Sequence, residues 1–350
     1  MNRLVRWGVL VTTAGAAGLL MTVALDAVHA ANAAEREWQA RNTPVMPTRP
    51  GTVRRPGSVN PLEVFDMSGF TLPQEEVHTL LPRDAIPALD EPETVALKDA
   101  AFLKPGDRLA VVEIRGESYA APLRVLAYHE IINATLAGVP FAVTYCPLCD
   151  SVTAFERTVG EGDDRNELSF GVSGALHNSN VLMYDRQDRA LWSQLRMEAV
   201  SGPRTGTRLT HLPARVVSPD RLRDRWPRAR VATLNTGHDR DYDGPVYASY
   251  FADPDRLIVP VWGKGDALPP KTLGLGVIAG DDAWFITAQA LRARAEDKPL
   301  TLETPMGPVR AIATDAGVEV IEQPEGVHTA QTFYYAWSAY RPQSVLVTGE

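Results

Sequence analysis

From Leu109 onward, short apolar runs alternate with turn residues, a spacing that suits strands better than long helices. Leu109–Ile114 is one such run; Gly116-Glu117 turns it, and Ser118–Ala121 returns as its hairpin partner. Pro122 suits a helix start. Leu123, Ala127, Ile131 and Ala134 then recur at helical spacing as far as Gly138-Val139-Pro140, which predicts a helix over that stretch. Phe141–Tyr145 reads as an apolar strand, and Ser151–Arg157 as the next. Leu168, Phe170 and Val172 alternate with polar or small neighbours, as in a half-buried strand. Val181–Tyr184 and Leu191–Leu195 flank a polar turn. Near the end, Ala283–Ala295 reads as a short helix, and Leu300–Glu303, Val309–Thr314 and Val318–Glu322 as a meander. The pattern predicts the α+β class: one strand-rich domain over residues 70–345, with few short helices.

The beginning of the chain follows other rules. Arg3 and Arg6 precede an uncharged apolar stretch, Trp7–Leu25, and Val28-His29-Ala30 offers the small residues of a cleavage site. The stretch is also close to the roughly 20 apolar residues that span a bilayer. Residues 1–30 therefore read as a signal peptide or membrane anchor. Residues 31–69, with Pro44, Pro47, Pro50, Pro56 and Pro61 among Arg49, Arg54 and Arg55, read as an extended linker. The expected location is periplasmic or otherwise extracytoplasmic, with membrane contact only through residues 7–25 if they are not removed. A net charge of -8 argues against nucleic acid, which requires a basic face.

Candidate chemistry concentrates at Cys146-Pro147-Leu148-Cys149, which holds the chain's only two cysteines. The predicted strands deliver this segment as a turn. One option is a soft metal. A Cys-Pro-X-Cys turn resembles the knuckle of rubredoxins and zinc ribbons, with both sulfurs on one side. One knuckle needs further ligands, and His177, His129 and Met183 are the candidates in that order. Two thiolates with imidazole or thioether favour copper over zinc, and the role would be delivery, sensing or electron transfer. A second option is metal-free dithiol–disulfide exchange, with Cys146 attacking and Cys149 resolving. The flanks lack the Trp-Cys-Gly-Pro-Cys of thioredoxin. The third is a structural disulfide in a module that binds a cell-envelope protein; so short a loop gains only about 2 kcal/mol from a bridge. Whether the protein is an enzyme stays open among these.

Bland alternatives weigh against several residues. His129 borders the apolar face set by Val125 and Ile132, where a hydrogen-bonded core histidine is the commoner case. His177 sits among Gly, Ser and Asn, in what reads as a loop. Trp192 and Trp337 read as core. Ser173 lies at the wrong offset for a nucleophile elbow, and His129-Glu130 lacks the second histidine of a zincin.

Longer motifs carry a resemblance. Tyr145-Cys-Pro-Leu-Cys149, Phe170-Gly-Val-Ser-Gly-Ala-Leu176, Met183-Tyr-Asp-Arg186, Leu191-Trp-Ser-Gln194 and Gly202-Pro-Arg-Thr-Gly206 resemble the prokaryotic family called domain of unknown function 3179. Ile86-Pro-Ala-Leu89, Pro122-Leu-Arg-Val-Leu126, His129-Glu-Ile131, Asp241-Tyr242, Lys271 and Trp337 fit it too. The resemblance spans about Leu72 to Arg341. It implies one domain in exported or membrane-associated proteins and implies no activity. The chain departs from the pattern at Asp150, where the family has a small residue, often glycine. A tight backbone turn just there is thereby put in question.

Overall fold

The computed structural model of the protein describes residues 61–349 except 245 and 294–297. The predicted leader, the anchor of residues 7–25 and most of the linker lie outside the described residues. Packed chain begins before residue 70: Phe65 is buried, and its ring lies 5.3 Å from that of Tyr184.

Strands dominate, with five short α-helices among the described residues. In chain order, the elements that build the site are helix α1 (Leu123–His129), strands β1 (Ile131–Leu136), β2 (Val139–Cys146), β3 (Ser151–Glu156), β4 (Phe170–His177) and β5 (Asn180–Asp185), helix α2 (Ala248–Ala252), strand β6 (His328–Phe333) and helix α3 (Tyr334–Tyr340). The largest sheet has nine strands. Its order is Leu89–Asp90, β1, β2, β3, β6, Leu273–Ala279, Asp282–Thr287 and Val345–Val347, with His211–Leu212 also pairing β3. A five-stranded sheet runs Val77–Thr79, β4, β5, Leu191–Ser193, Glu198–Ala199. A second five-stranded sheet contains the predicted Leu109–Ile114 hairpin, and the predicted meander forms a separate three-stranded sheet.

The main core joins the nine-stranded sheet to the sheet of β4 and β5. Ile131, Ala142, Cys146 and Phe155 from the first meet Phe170, Val172, Met183 and Trp192 from the second, with Tyr335 and Ala336 of α3. Phe155, Phe170 and Trp192 stack edge-on at 5.2 and 5.6 Å between centroids. Each such pair contributes about 0.5–1.5 kcal/mol beyond its buried area.

Two predicted helices are shorter than their periodicity suggests. The first stops at His129; Glu130 caps it in the left-handed region at φ 57°, and Ile131–Leu136 continues as a strand. Ile131 and Ala134, three apart, share a face only in a helix; in the strand they point to opposite sides, both buried, and the β-branched Ile131, Ile132 and Thr135 suit a sheet flanked by Leu89–Asp90 and β2. The second divides into the strand Asp282–Thr287 and a helix over Ala288–Arg292, whose N-terminus Thr287 caps by accepting from the Ala290 N–H. Trp284, Phe285 and Ile286 are strand formers.

Gly174 explains part of the Phe170–Leu176 motif. It lies at φ +78° in the irregular stretch of β4, and a Cβ there would stand 2.1 Å from the Leu81 carbonyl oxygen. That same glycine's carbonyl accepts from the Leu80 and Leu81 amides. Gly174→Ala combines left-handed strain with a backbone clash, for an expected loss of about 2–4 kcal/mol. The denaturant midpoint of the folded protein checks it.

Candidate functional site

Strand β2 ends at Cys146 and β3 begins at Ser151, so the four residues between close a hairpin. The Cys149 amide donates to the Cys146 carbonyl at 3.2 Å and the Asp150 amide to the Pro147 carbonyl at 3.4 Å, two overlapping turns. Pro147 fixes its own φ and has no N–H to satisfy. Asp150 closes the bend in the left-handed region at φ 46°. The tight turn therefore exists, with aspartate at its end. Asp tolerates this region better than most residues, and here its carboxylate is held. Arg108 donates two bonds to it at 3.0 and 2.9 Å, and the Tyr145 hydroxyl a third at 2.9 Å.

Both cysteines are free thiols, 1% and 0% exposed. They share one acceptor, the Ser179 carbonyl oxygen, at 3.7 Å from Cys146 Sγ and 3.2 Å from Cys149 Sγ. Ser179 belongs to the hairpin turn between β4 and β5. Asn178 and Ser179 have φ 47° and 69°, the positive pair of a two-residue hairpin turn. Turns usually lie at the surface, yet His177, Asn178, Ser179 and Asn180 are all buried. Specific partners make this possible. The Asn178 backbone and side-chain N–H groups donate to Glu76 at 3.0 Å each, and its Oδ1 accepts from the Trp262 amide at 2.8 Å. Asn180 donates to Gln194 Oε1 at 2.7 Å and to Ser151 Oγ at 3.2 Å.

Tyrosines close the remaining sides. The Tyr250 hydroxyl of α2 and the Tyr335 hydroxyl of α3 both donate to the Leu148 carbonyl at 2.8 Å, and Tyr335 Oη lies 3.5 Å from Cys149 Sγ. Lys271 pins α2 from behind, with Nζ 3.4 Å from the Tyr250 ring centre and bonded to the Tyr250 and Asp253 carbonyls.

Burial pushes the Cys146 thiol well up, and the neighbouring Cys149 thiol adds to this; N–H groups of Cys149 and Val181 that point at the sulfur work the other way. Beside Cys146 stands Glu130. Its carboxyl is pushed well up by burial and then by the charge of Cys146. Among the described residues no side chain or amide hydrogen-bonds it. Glu130 keeps 8% of its surface exposed, and its oxygens are not among the fully sealed atoms without a partner; carboxyls shifted by burial beside a charged partner concentrate at functional sites.

Of the two histidines, His177 lies outside the expected loop, while His129 is a buried, hydrogen-bonded histidine at a helix end. His177 is not a loop residue but the last of β4. Its Nε2 bonds Glu76 Oε2 at 2.8 Å and its Nδ1 meets the Tyr340 hydroxyl at 2.9 Å. Burial lowers its pKa against the pull of Glu76. His129 ends α1. Its Nδ1–H donates to the Pro87 carbonyl at 2.8 Å, so Nε2 accepts from the Tyr242 hydroxyl at 2.6 Å. Burial lowers its pKa to about 4. Each ring thus commits both nitrogens away from the sulfurs. Met183 shares the core of the cysteines, fully buried on β5. Among the described residues, no three His, Cys, Asp or Glu side chains converge as a metal set. In this arrangement a histidine joining the two thiols as a ligand would first have to leave Glu76, Tyr340, Pro87 or Tyr242.

Sequence reasoning singled out the cysteines and missed Glu130, Tyr250, Tyr335 and the Ser179 carbonyl. Only Glu130 left a signal, as a lone carboxylate between Tyr128-His129 and Ile131-Ile132.

A family pattern described as a protein of unknown function (DUF3179) matches residues 83–325, more than half of the chain. The chain belongs to the DUF3179 family. The matched DUF3179 region contains both cysteines, Glu130, Ser179 and Tyr250, while Glu76, Tyr335 and Tyr340 lie outside it. No curated protein and no solved structure matches the chain.

Proposed function

We propose that this DUF3179 protein works outside the cytoplasm as a thiol–disulfide exchange protein, with Cys146 and Cys149 as its reactive pair. The observation that carries the reading is the largely buried Glu130 carboxyl beside Cys146, whose turn holds two free thiols together. Residues three apart in such a turn have Cα atoms within about 7 Å, a separation a disulfide can bridge.

The chemistry follows from these groups. Glu130 takes the Cys146 proton, and the amides of Cys149 and Val181 support the thiolate. The thiolate attacks a disulfide of an oxidised cell-envelope partner, forming a mixed disulfide and releasing one partner thiolate. Cys149, deprotonated in turn, attacks Cys146 Sγ. The internal disulfide forms and the second partner thiolate leaves. The partner gains two electrons and two protons; the pair here loses them. The segment from Tyr247 to Pro270 must swing away first, since Tyr250 covers Leu148 and its only regular element is α2. Soft-metal binding, with copper ahead of zinc, ranks behind exchange because His177 and His129 would have to surrender Glu76, Tyr340, Pro87 or Tyr242.

A trapping experiment tests the reading. The Cys149→Ser chain, incubated folded with oxidised glutathione, is expected to accumulate a mixed disulfide at Cys146, while the unaltered chain proceeds to the internal disulfide. If the native protein forms neither adduct and reacts only after unfolding, exchange is ruled out.

A further inference from the structure

The turn between β4 and β5 touches both sulfurs through a single atom. The Ser179 carbonyl oxygen accepts from the thiols of Cys146 and Cys149 at 3.7 and 3.2 Å, one for each of its lone pairs. Ser179 is sealed from solvent, and its own hydroxyl has no hydrogen-bond partner among the described residues. Asn178 and Ser179 both sit in the left-handed region without being glycine, a conformation that persists only where the surroundings fix it. The two thiols are part of what fixes it. The same turn also holds the chain that covers the dithiol. Asn178 Oδ1 accepts from the Trp262 amide at 2.8 Å, and the Trp262 ring stacks on His78 at 5.5 Å between centroids. Further along, α3 takes over: the Gly265 amide donates to Ser338 Oγ at 2.8 Å, and the Pro270 carbonyl accepts from the Tyr335 amide at 2.9 Å. Trp262 is therefore the place where the covering segment depends on the Asn178–Ser179 turn.

Closing the internal disulfide removes this support. A disulfide oxidant takes two electrons and both S–H protons and leaves as two thiols; the Sγ–Sγ bond that forms has no hydrogen to donate. The Ser179 carbonyl then loses both donors while still sealed from water, beside a hydroxyl that already lacks a partner. A buried acceptor stripped of its donors bears its full desolvation penalty. Movement of the turn relieves it, and Asn178 moves with Ser179. We infer that the two thiols latch the Asn178–Ser179 turn and that oxidation releases it, so that the segment around Trp262 is held down over the dithiol and loosened over the disulfide. This redox-governed cover regulates the site assigned above and rests on that reading. It shields the thiols and gives the disulfide form, which must meet a reductant, the more open face.

Hydrogen exchange of the full chain tests it, read by mass spectrometry in the dithiol form and after treatment with oxidised glutathione. The mass of two lost hydrogens verifies the internal disulfide. Residues 176–182 and 257–264 are expected to exchange about tenfold faster or more in the disulfide form. Leu109–Ile114, in the second five-stranded sheet, is expected to keep its rate. C146A/C149A, which removes both donors and forms no disulfide, is expected to loosen the same two segments. A verified disulfide form that protects both segments as well as the dithiol form does overturns the inference and leaves the exchange reading intact. A double-alanine variant as protected as the unaltered chain overturns it too, as does loosening that spreads equally to Leu109–Ile114. A folded pair that glutathione leaves reduced overturns the exchange reading, and the redox-governed cover with it.

Discussion

Glu130→Gln is expected to slow exchange at Cys146 by about a hundredfold or more at neutral pH, the ordinary range for losing a positioned base. The same substitution is expected to stabilise the fold there. Glutamine keeps the shape and the left-handed cap at φ 57°, so the lost property is the titrating proton. The sign follows from the direction of the shift. The folded pKa of Glu130 lies above its ordinary value of 4.5. The stabilising contribution of the protonated form is complete below that value and is lost as pH rises through the folded pKa. The unaltered protein therefore loses stability over this window, and Glu130→Gln does not. In the rate, the unaltered protein gains a rising limb as Glu130 becomes a base, whereas the variant rises only with the thiol's own ionisation. Denaturation curves at pH 4 and 8, with alkylation rates between, measure both. A variant that is slower but no more stable at pH 8 would mean that Glu130 is hydrogen-bonded and structural.

Asp150→Ala carries the largest expected stability loss, about 3–5 kcal/mol, because it breaks a buried ion pair by removing one partner. Asp150 is 3% exposed and accepts from Arg108, Tyr145 and Gln331. Without it, Arg108 retains the Ala316 carbonyl at 2.5 Å and no described carboxylate. Alanine also sits poorly at φ 46°. Asp150→Gly relieves that strain and is expected to be about 1 kcal/mol less damaging than Asp150→Ala. Both are expected to loosen the turn and raise the alkylation rate of the cysteines. Denaturant midpoints of the two variants check the order. Equal stability of alanine and aspartate would refute the anchoring role.

The neighbourhood of the cysteines was readable where the determinants are local. An apolar run ending in Cys-Pro dictates a strand followed by a turn, and β2 and β3 follow it. The glycine at 174 answers a backbone need of this chain: its φ is +78° and a Cβ there would meet the Leu81 carbonyl. The helix beyond His129 misled because β1 is buried on both faces, so its apolar residues show no alternation and Ile131 and Ala134 happen to fall at helical spacing. His177 looked like a loop residue because a two-residue turn of Asn and Ser is normally exposed. Its burial depends on Glu76, Trp262 and Gln194, which are remote in sequence or indifferent in composition. The tyrosines are further still: Tyr335 reaches Leu148 across 187 positions. No spacing rule announces such contacts, nor the isolation of Glu130.

The most direct measurement is an equilibrium redox titration of the folded chain in glutathione buffers, reading both cysteines by alkylation and mass. The proposed exchange role predicts one two-electron transition in which Cys146 and Cys149 oxidise together, with a midpoint above about −300 mV. A midpoint below that value, the range of inert structural bridges, or a pair that stays reduced until the protein unfolds, would contradict it.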